Sequence, residues 1–79
     1  MNQNNIGKII SIMRKEKHMT QRELADLLYV TDKTVSRWET GVYMPDLSTI
    51  PLLAEILGIS TYELLTGQRQ EKNLSLIHI

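Results

Sequence analysis

Residues 20–41, TQRELADLLYVTDKTVSRWETG, read as two short capped helices around a tight turn. Thr20 and Glu23 have the T-x-x-E spacing of a capping box, in which each side chain accepts the other residue's free backbone N–H. Met19 and Leu24 flank this box at the spacing of its hydrophobic staple. The pattern therefore predicts a helix that begins directly after Thr20.

The second helix of this stretch follows after a turn of about three residues. Val30 and Val35 repeat the staple and Thr31 repeats the cap, which places the helix at residues 32–40. Two helices joined this closely predict a helix-turn-helix, a unit whose second helix can enter a DNA groove.

The predicted helix 32–40 separates its side chains into two faces. At about 100° of rotation per residue, one arc carries Asp32, Lys33, Ser36, Arg37 and Thr40, and the opposite side carries Thr31, Thr34, Val35 and Trp38. Cations, hydroxyls and a carboxylate are the groups that bond base edges and phosphates. Exposed helices carry the same residue types by default, so this segment alone leaves DNA reading and an ordinary solvated helix both open.

Apolar periodicity predicts three further helices. The first covers residues 5–17, with apolar positions at Ile6, Ile9, Ile10 and Met13. The fourth helix has the apolar stripe Leu47, Ile50, Leu53, Ala54 and Leu57, and it ends at Gly58. Asp46 and Ser48 can each cap its start, and Pro51 favours Ser48 because a proline belongs in a first turn.

A second capping box predicts a short fifth helix. Ser60 and Glu63 form the box, Ile59 and Leu64 its staple, and Gly67 the C-terminal stop. We expect the core of the resulting bundle to contain Ile9, Ile10, Met13, Leu24, Ala25, Leu28, Val35, Trp38, Ile50, Leu53, Leu57 and Leu64. Trp38 is assigned to this core rather than to base stacking because it lies on the inward side of its helix.

The composition limits both the fold and the function. A chain of 79 residues holds one modest core, and residues 1–67 show no alternation typical of strands. The absence of cysteine excludes disulfides and thiolate zinc sites. The chain has no signal-peptide pattern and no apolar run long enough to span a membrane, so we expect a cytoplasmic domain without membrane contact.

The net charge of zero counts against a nucleic-acid partner, because phosphate binding normally comes with a basic surplus. The distribution of charge is more informative. Residues 1–41 hold seven Lys/Arg and five Asp/Glu, whereas residues 42–67 hold three acids and no base. The helix-turn-helix half is therefore the electropositive end. Non-specific DNA affinity should be modest, so specific contacts or dimerisation must supply much of the binding.

Five segments of the chain, in order, are IGKIISIMRKEK, TQRELADLL, VTDKTVSRWETG, MPDLSTIPLLAEILGIS and YELLTG. Together they resemble the phage Cro and repressor type of helix-turn-helix regulator, also called the xenobiotic-response-element-like family. The resemblance covers about residues 6–67. It implies an all-α five-helix bundle of the lambda-repressor-like DNA-binding type. We expect no cofactor. It also implies a transcriptional regulator, here expected to be a repressor, that binds a palindromic double-stranded DNA operator as a homodimer with one recognition helix per major-groove half-site.

The resemblance carries site residues with it. The family positions near bases are matched here by Thr31, Asp32, Lys33, Ser36 and Arg37. The positions nearer phosphates are matched by Gln21, Thr34 and Thr40. Arg37 is the strongest candidate for a bidentate bond to guanine, followed by Lys33. For Asp32 we favour stabilisation by the helix dipole over a cytosine contact. Tyr43 has two open roles, a phosphate contact through its hydroxyl or packing of its ring on the bundle.

Two further features follow from the same resemblance. Arg14 and Glu39 match a pair that forms a salt bridge between the first helix and the end of the recognition helix. His18 and Tyr29 stand where the family usually has glycine, in turns that commonly need a positive φ. With non-glycine residues there, we expect that either the turns relax or some stability is lost. His18 has no carboxylate or second histidine at ligand spacing, so we expect no metal site and no catalytic role.

The tail, residues 68–79, changes character after Gly67: QRQEKN is followed by LSLIHI. The codons CTG TCT CTT ATA CAC ATC of a transposon-end sequencing adaptor translate as these last six residues. We therefore interpret residues 74–79 as a non-native extension and expect the natural chain to continue past about residue 73. The alternative is an apolar dimerisation arm or strand.

Two other function classes compete with the DNA-binding regulator. An antitoxin-like or adaptor module would use the same fold to bind a protein, and an exposed apolar patch around Tyr62 and Leu65 would favour it. A homodimer interface would use the same two residues. An enzyme is disfavoured because the chain has no cysteine, one usable histidine and no convergent acid–base group.

Overall fold

A computed structural model describes residues 3–69, with side chains from residue 5 onward. These residues form five α-helices and no strand, namely α1 (Gln3–Glu16), α2 (Gln21–Leu28), α3 (Asp32–Thr40), α4 (Ile50–Leu57) and α5 (Thr61–Thr66). The predicted all-α, five-helix architecture is therefore confirmed. Within this described range, no helix combines the length and the apolar character that crossing a bilayer requires. The interpretation of residues 74–79 falls outside the described residues.

The two predicted capping boxes are present. Glu23 donates its backbone N–H to the Thr20 hydroxyl at 3.0 Å, and Thr20 donates its own to the Glu23 carboxylate at 2.8 Å. Ser60 and Glu63 repeat this arrangement at the start of α5, at 3.0 and 2.8 Å. Because each box satisfies N–H groups that a helix start leaves free, α2 and α5 begin where the sequence predicts.

The start of α4 differs from the prediction. Ser48 does not cap the helix, which begins at Ile50 after Thr49, and no side chain caps it. Residues 47–49 form a turn instead, in which the N–H of Thr49 donates to the carbonyl of Asp46 at 2.8 Å. Leu47 therefore lies before the helix and is 79% exposed, so its place in the apolar stripe was wrong.

The first helix also departs slightly from its predicted bounds of residues 5–17. It begins at Gln3 and ends at Glu16, one residue before Lys17. Lys17 shares its N–H between the carbonyls of Met13 and Arg14, at 3.2 and 3.1 Å, as the chain tightens into the turn at His18.

The core lies between all five helices, with α2 contributing Leu24, Ala25 and Leu28 and packing on α3. All twelve residues expected in the core are buried, including Trp38 at 5% exposure, and Ile6 and Ala54 join them. Because α3 is held on its inner side by α1 and α2, its opposite side is the one left to solvent.

One glycine sets the distance between α1 and α3. Gly7 is buried in the first half of α1, and a Cβ at this position would overlap the carbonyl oxygen of Trp38 and lie 2.8 Å from that of Glu39. The backbones of the two helices therefore meet directly. A glycine inside a helix costs about 1 kcal/mol in helix propensity, and here it permits the close crossing.

The two positions where family members usually carry glycine keep the left-handed conformation. His18 has a φ of 57° and Tyr29 a φ of 59°. At the second of these, Val30 donates its N–H to the carbonyl of Ala25 at 3.0 Å and so closes the C-terminal turn of α2. The turns are therefore retained without glycine, and both residues adopt a conformation that costs an L-residue about 1–2 kcal/mol.

Candidate nucleic-acid interface

The solvent side of α3 carries most of the residues predicted near bases. Asp32, Lys33 and Arg37 are exposed, as is Thr40, and Ser36 is half-buried between them. The opposite face is covered, since Val35 and Trp38 are buried. The structure therefore brings these five polar residues onto one accessible surface, which we call the α3 face (Asp32, Lys33, Ser36, Arg37 and Thr40).

Thr31 is the exception to the predicted partition of this helix. It was placed on the inward side, but it is the N-cap residue of α3 and is exposed. Its hydroxyl accepts the backbone N–H of Thr34 at 3.2 Å and lies 3.0 Å from the Thr34 hydroxyl. A cap residue precedes the helix, so the helical wheel did not apply to it.

Hydroxyl protons on the α3 face are partly engaged within the helix. Thr40 donates its hydroxyl to the carbonyl of Ser36 at 3.1 Å. A phosphate oxygen needs a donor, so Thr40 would have to exchange this internal bond to contact one.

The C-terminal end of α3 is fixed by a buried ion pair. Arg14 Nε donates to Glu39 Oε2 at 2.7 Å and Arg14 Nη2 donates to Glu39 Oε1 at 3.0 Å, with the two side chains 9% and 7% exposed. Arg14 Nη1 also donates to the carbonyl of Met19, at 2.8 Å. The hydrogen bond to Glu39 raises the pKa of Arg14, while burial opposes that rise. This planar two-pronged contact ties α1 to α3 and to the turn before α2.

Gln21 joins the same group. Its Nε2 donates to Glu39 Oε1 at 3.0 Å, so the first residue of α2 is bonded to the end of α3. The second proton on the same nitrogen is left for another acceptor. The carboxylate of Glu39 thus orients the side chain that family resemblance places near a phosphate.

Arg37 has a different kind of neighbour. Its guanidinium carbon lies 5.7 Å from the centre of the Tyr43 ring, within the range of a cation–π contact. Among residues 5–69 no carboxylate lies in ion-pair distance of Arg37; the pairs there are Arg14–Glu39, Arg22–Asp26 and Arg69–Glu16. The N–H groups of Arg37 are therefore available to an outside acceptor.

The surroundings of the α3 face lack features of a metal centre in the part of the chain that the structure describes. No group of three or more His, Asp or Glu side chains there could hold a metal ion.

The exposed ion pair between Arg22 and Asp26, 3.5 Å apart on α2, is an i,i+4 surface pair. Such a pair contributes little to stability.

Sequence reasoning missed two contributors to this site. Gly7 sets how closely α1 approaches the end of α3, and its signal was an isolated glycine in a helical pattern. The bond from Gln21 to Glu39 had no local signal, because the two residues are eighteen positions apart.

A helix-turn-helix family model matches residues 10–64 of the chain. YonR, an SPbeta prophage-derived uncharacterized HTH-type transcriptional regulator of Bacillus subtilis (strain 168), is 35% identical over 71 residues, which are 90% of this chain and 66% of the relative. BcrR, an HTH-type transcriptional activator of Enterococcus faecalis, is 32% identical over 56 residues, 71% of this chain and 28% of BcrR. The chain thus spans between about a quarter and two thirds of these relatives.

Solved structures share the fold. The clp gene regulator ClgR from Corynebacterium glutamicum superimposes with a TM-score of 0.76 at 24% identity, over 85% of this chain and 71% of ClgR. Fe(II) HppE matches with a TM-score of 0.73 at 28% identity, over 81% of this chain and 34% of HppE. Since the same bundle occurs in proteins of different kinds, function has to be argued from the site. The five-helix architecture and the family model over residues 10–64 together show that the chain belongs to the Cro and repressor type of helix-turn-helix regulators.

Proposed function

We propose that this chain binds double-stranded DNA sequence-specifically through the α3 face and regulates transcription. The observation that carries the proposal is the exposure of Lys33 and Arg37 on the outer side of a helix whose inner side is buried. A helix packed on its inner side, with exposed cations on its outer side, fits the major groove and can bond base edges there.

Each side chain has a role in this proposal. Arg37 and Lys33 bond guanine, with Thr31, Asp32 and Ser36 also near bases. Asp32 is further stabilised by its place in the first turn of α3. Around them, Gln21, Thr34 and Thr40 lie nearer the phosphates, while Arg14 and Glu39 hold α3 in place without touching DNA.

The partner is a palindromic operator bound by a homodimer. The chain has no net charge, so electrostatic attraction alone gives modest affinity, and two half-sites read together would supply the remainder. Repression is the proposed outcome because a dimer that occupies an operator can block transcription without contacting a further protein. The proposed compartment is the cytoplasm, and the proposal includes no enzymatic activity.

The protein-interaction alternative is less well supported by α5. Tyr62 is 59% exposed, but Leu65 is half-buried and packs against the core. One exposed aromatic ring is not the contiguous apolar patch that marks a protein interface. A homodimer contact would use the same two residues, so α5 does not separate the two alternatives. The exposed α3 face is what favours the regulator.

Selection of bound sequences from a random duplex library tests the proposal. Wild type is compared with Arg37→Ala and with the matched control Lys15→Ala, which removes one exposed charge from α1 and leaves the α3 face intact. We expect an enriched inverted repeat with half-sites about 34 Å apart, one helical turn. Loss of a bidentate arginine should reduce discrimination at one base pair by about 1–3 kcal/mol.

The two variants separate specific from non-specific effects. Lys15→Ala should select the wild-type sequence, whereas Arg37→Ala should lose preference at the position that Arg37 contacts. Selection of no sequence by the wild type at any salt concentration would contradict the proposal and favour the interaction module. A repressor should then lower reporter expression from a promoter that contains the selected operator.

A further inference from the structure

The loop after α3 brings an aromatic ring against the main candidate for base reading. Gly41 ends α3 with a φ of 83°, and the chain turns back so that Tyr43 donates its N–H to the carbonyl of Arg37 at 3.3 Å. Val42 donates to the same carbonyl at 2.9 Å. Pro45, two residues later, is buried. The loop is therefore anchored on both sides of Tyr43.

The guanidinium carbon of Arg37 lies over the Tyr43 ring, 5.7 Å from its centre. A guanidinium donates hydrogen bonds in its own plane, whereas aromatic rings stack on its face. None of the ion pairs among residues 5–69 involves Arg37, so its N–H fork stays available beside the ring. Bidentate recognition of guanine O6 and N7 uses that fork.

We propose that Tyr43 is a specificity-determining positioning residue, whose ring holds the Arg37 guanidinium in the orientation that reads one base pair. The inference rests on the proposed function and deepens it. A long exposed arginine loses rotamer freedom when it binds, and a ring that restricts it beforehand lowers that loss. The benefit applies only where Arg37 makes an ordered contact, so it appears as base discrimination.

This role differs from the two that the sequence left open for Tyr43. A phosphate contact would use the hydroxyl and would act equally on every DNA sequence. Packing on the bundle alone would give the ring no effect on Arg37, whereas the guanidinium carbon lies 5.7 Å from the ring centre and Tyr43 is 55% exposed. The positioning role needs the ring and not the hydroxyl, so Tyr43→Phe and Tyr43→Leu separate the possibilities.

The first test uses the full chain without DNA. The side-chain protons of Arg37 should show a ring-current shift in NMR spectra of wild type and Tyr43→Phe, and this shift should disappear in Tyr43→Leu. Thermal unfolding serves as the folding control, and we expect little change because Tyr43 is 55% exposed. Identical Arg37 proton shifts in all three proteins would overturn the positioning role whether or not the protein binds DNA.

The second test measures Kd for the selected operator and for single base-pair variants of it. Tyr43→Leu should reduce discrimination about two- to fivefold at the base pair that depends on Arg37 and should leave other positions unchanged, the range expected for an exposed cation–π contact. Tyr43→Phe should retain wild-type discrimination. In an Arg37→Ala background, Tyr43→Leu should have no further effect on discrimination.

Two results would overturn the inference while leaving the proposed function intact. Equal weakening by Tyr43→Phe and Tyr43→Leu on every sequence would assign Tyr43 to a phosphate through its hydroxyl. Loss of affinity in Tyr43→Leu that persists in the Arg37→Ala background would show that the ring acts independently of Arg37. If the wild type selects no operator, the proposed function itself fails, and the NMR result still decides whether the ring orders Arg37.

Discussion

At the scale of single residues, Tyr29 shows that a family turn can be kept at a cost in stability. Its φ of 59° lies in the left-handed region, and its side chain is 93% exposed. No contact of the ring is there to offset the backbone cost. The turn is therefore imposed by the helices on either side of it.

Tyr29→Gly is expected to increase the free energy of unfolding by about 0.5–1 kcal/mol, because relief of the left-handed strain exceeds the extra chain entropy of glycine. Thermal unfolding should detect a rise of about 4–8 °C per kcal/mol. Tyr29→Ala is the matched control, since it removes the exposed ring and keeps the Cβ. Equal melting temperatures for the two variants would show that the turn is not strained.

Arg14 is the residue on which the orientation of α3 depends most. Arg14→Met leaves the Glu39 carboxylate, 7% exposed, with only Gln21 as a donor. The expected loss is about 3–5 kcal/mol, the usual cost of removing one partner from a buried pair. Urea unfolding should show it, and Arg14→Lys should lie between because one ammonium cannot replace the planar fork. A loss under about 1 kcal/mol would place the pair in the class of surface ion pairs.

The pH dependence of this pair follows from the direction of its pKa shift. Glu39 raises the pKa of Arg14, and a base with a raised pKa contributes stability that is fully present below its unfolded pKa. That contribution is lost only as the pH rises through the higher folded value. The stability difference between wild type and Arg14→Met should therefore not change through titration of Arg14 between about pH 6 and 9, since arginine stays protonated there.

At the scale of elements, the crossing of α1 and α3 depends on Gly7. Gly7→Ala would favour the helix by about 1 kcal/mol on propensity alone. The added Cβ meets backbone carbonyl oxygens of α3 rather than a movable side chain, so we expect a net loss of about 1–3 kcal/mol from overpacking. Chemical denaturation measures it, with Lys8→Ala as a control at the adjacent exposed position. A stabilised Gly7→Ala would mean that the two helices are free to separate.

The elements also show what the sequence could predict. The start of α2 and the start of α5 follow from the capping boxes at Thr20 and Ser60, because caps are local and their residues lie within four positions. The start of α4 was misplaced, since Thr49 adopts helical angles without a side-chain cap. The preceding loop is anchored by Pro45, whose burial depends on the rest of the bundle.

The same distinction applies to the candidate site. Helical periodicity predicted the α3 face because exposure on one helix is a local property. The contacts of Gln21 with Glu39 and of Tyr43 with Arg37 depend on how separate segments pack. Local pattern placed the residues on their helices, and only the packed bundle shows which of them touch.

At the scale of the whole molecule, the net charge of zero arises from an uneven distribution of charge along the chain. Residues 1–41 hold seven Lys/Arg and five Asp/Glu, and residues 42–67 hold three acids and no base. The exposed cations Lys33 and Arg37 lie in the first part, on α3, and the exposed acids Asp46 and Glu55 in the second. Asp46 lines one concavity with Thr34 and Tyr43, so an acid lies beside the proposed DNA contacts and would oppose the attraction of a duplex by Lys33 and Arg37.

The double variant Asp46→Asn, Glu55→Gln tests whether this distribution of charge limits DNA affinity. Removing two negative charges should increase affinity for operator and non-operator DNA alike, by a few-fold at low ionic strength. The gain should shrink as salt rises, because exposed charges are screened beyond about 10 Å at 0.1 M and about 3 Å at 1 M. Base preference should stay that of the wild type, since neither residue belongs to the α3 face.

Kd values for operator and non-operator DNA across a salt series provide the measurement. A gain confined to the operator, or one that persists at high salt, would mean that Asp46 or Glu55 acts through a direct contact rather than through the field of the whole molecule.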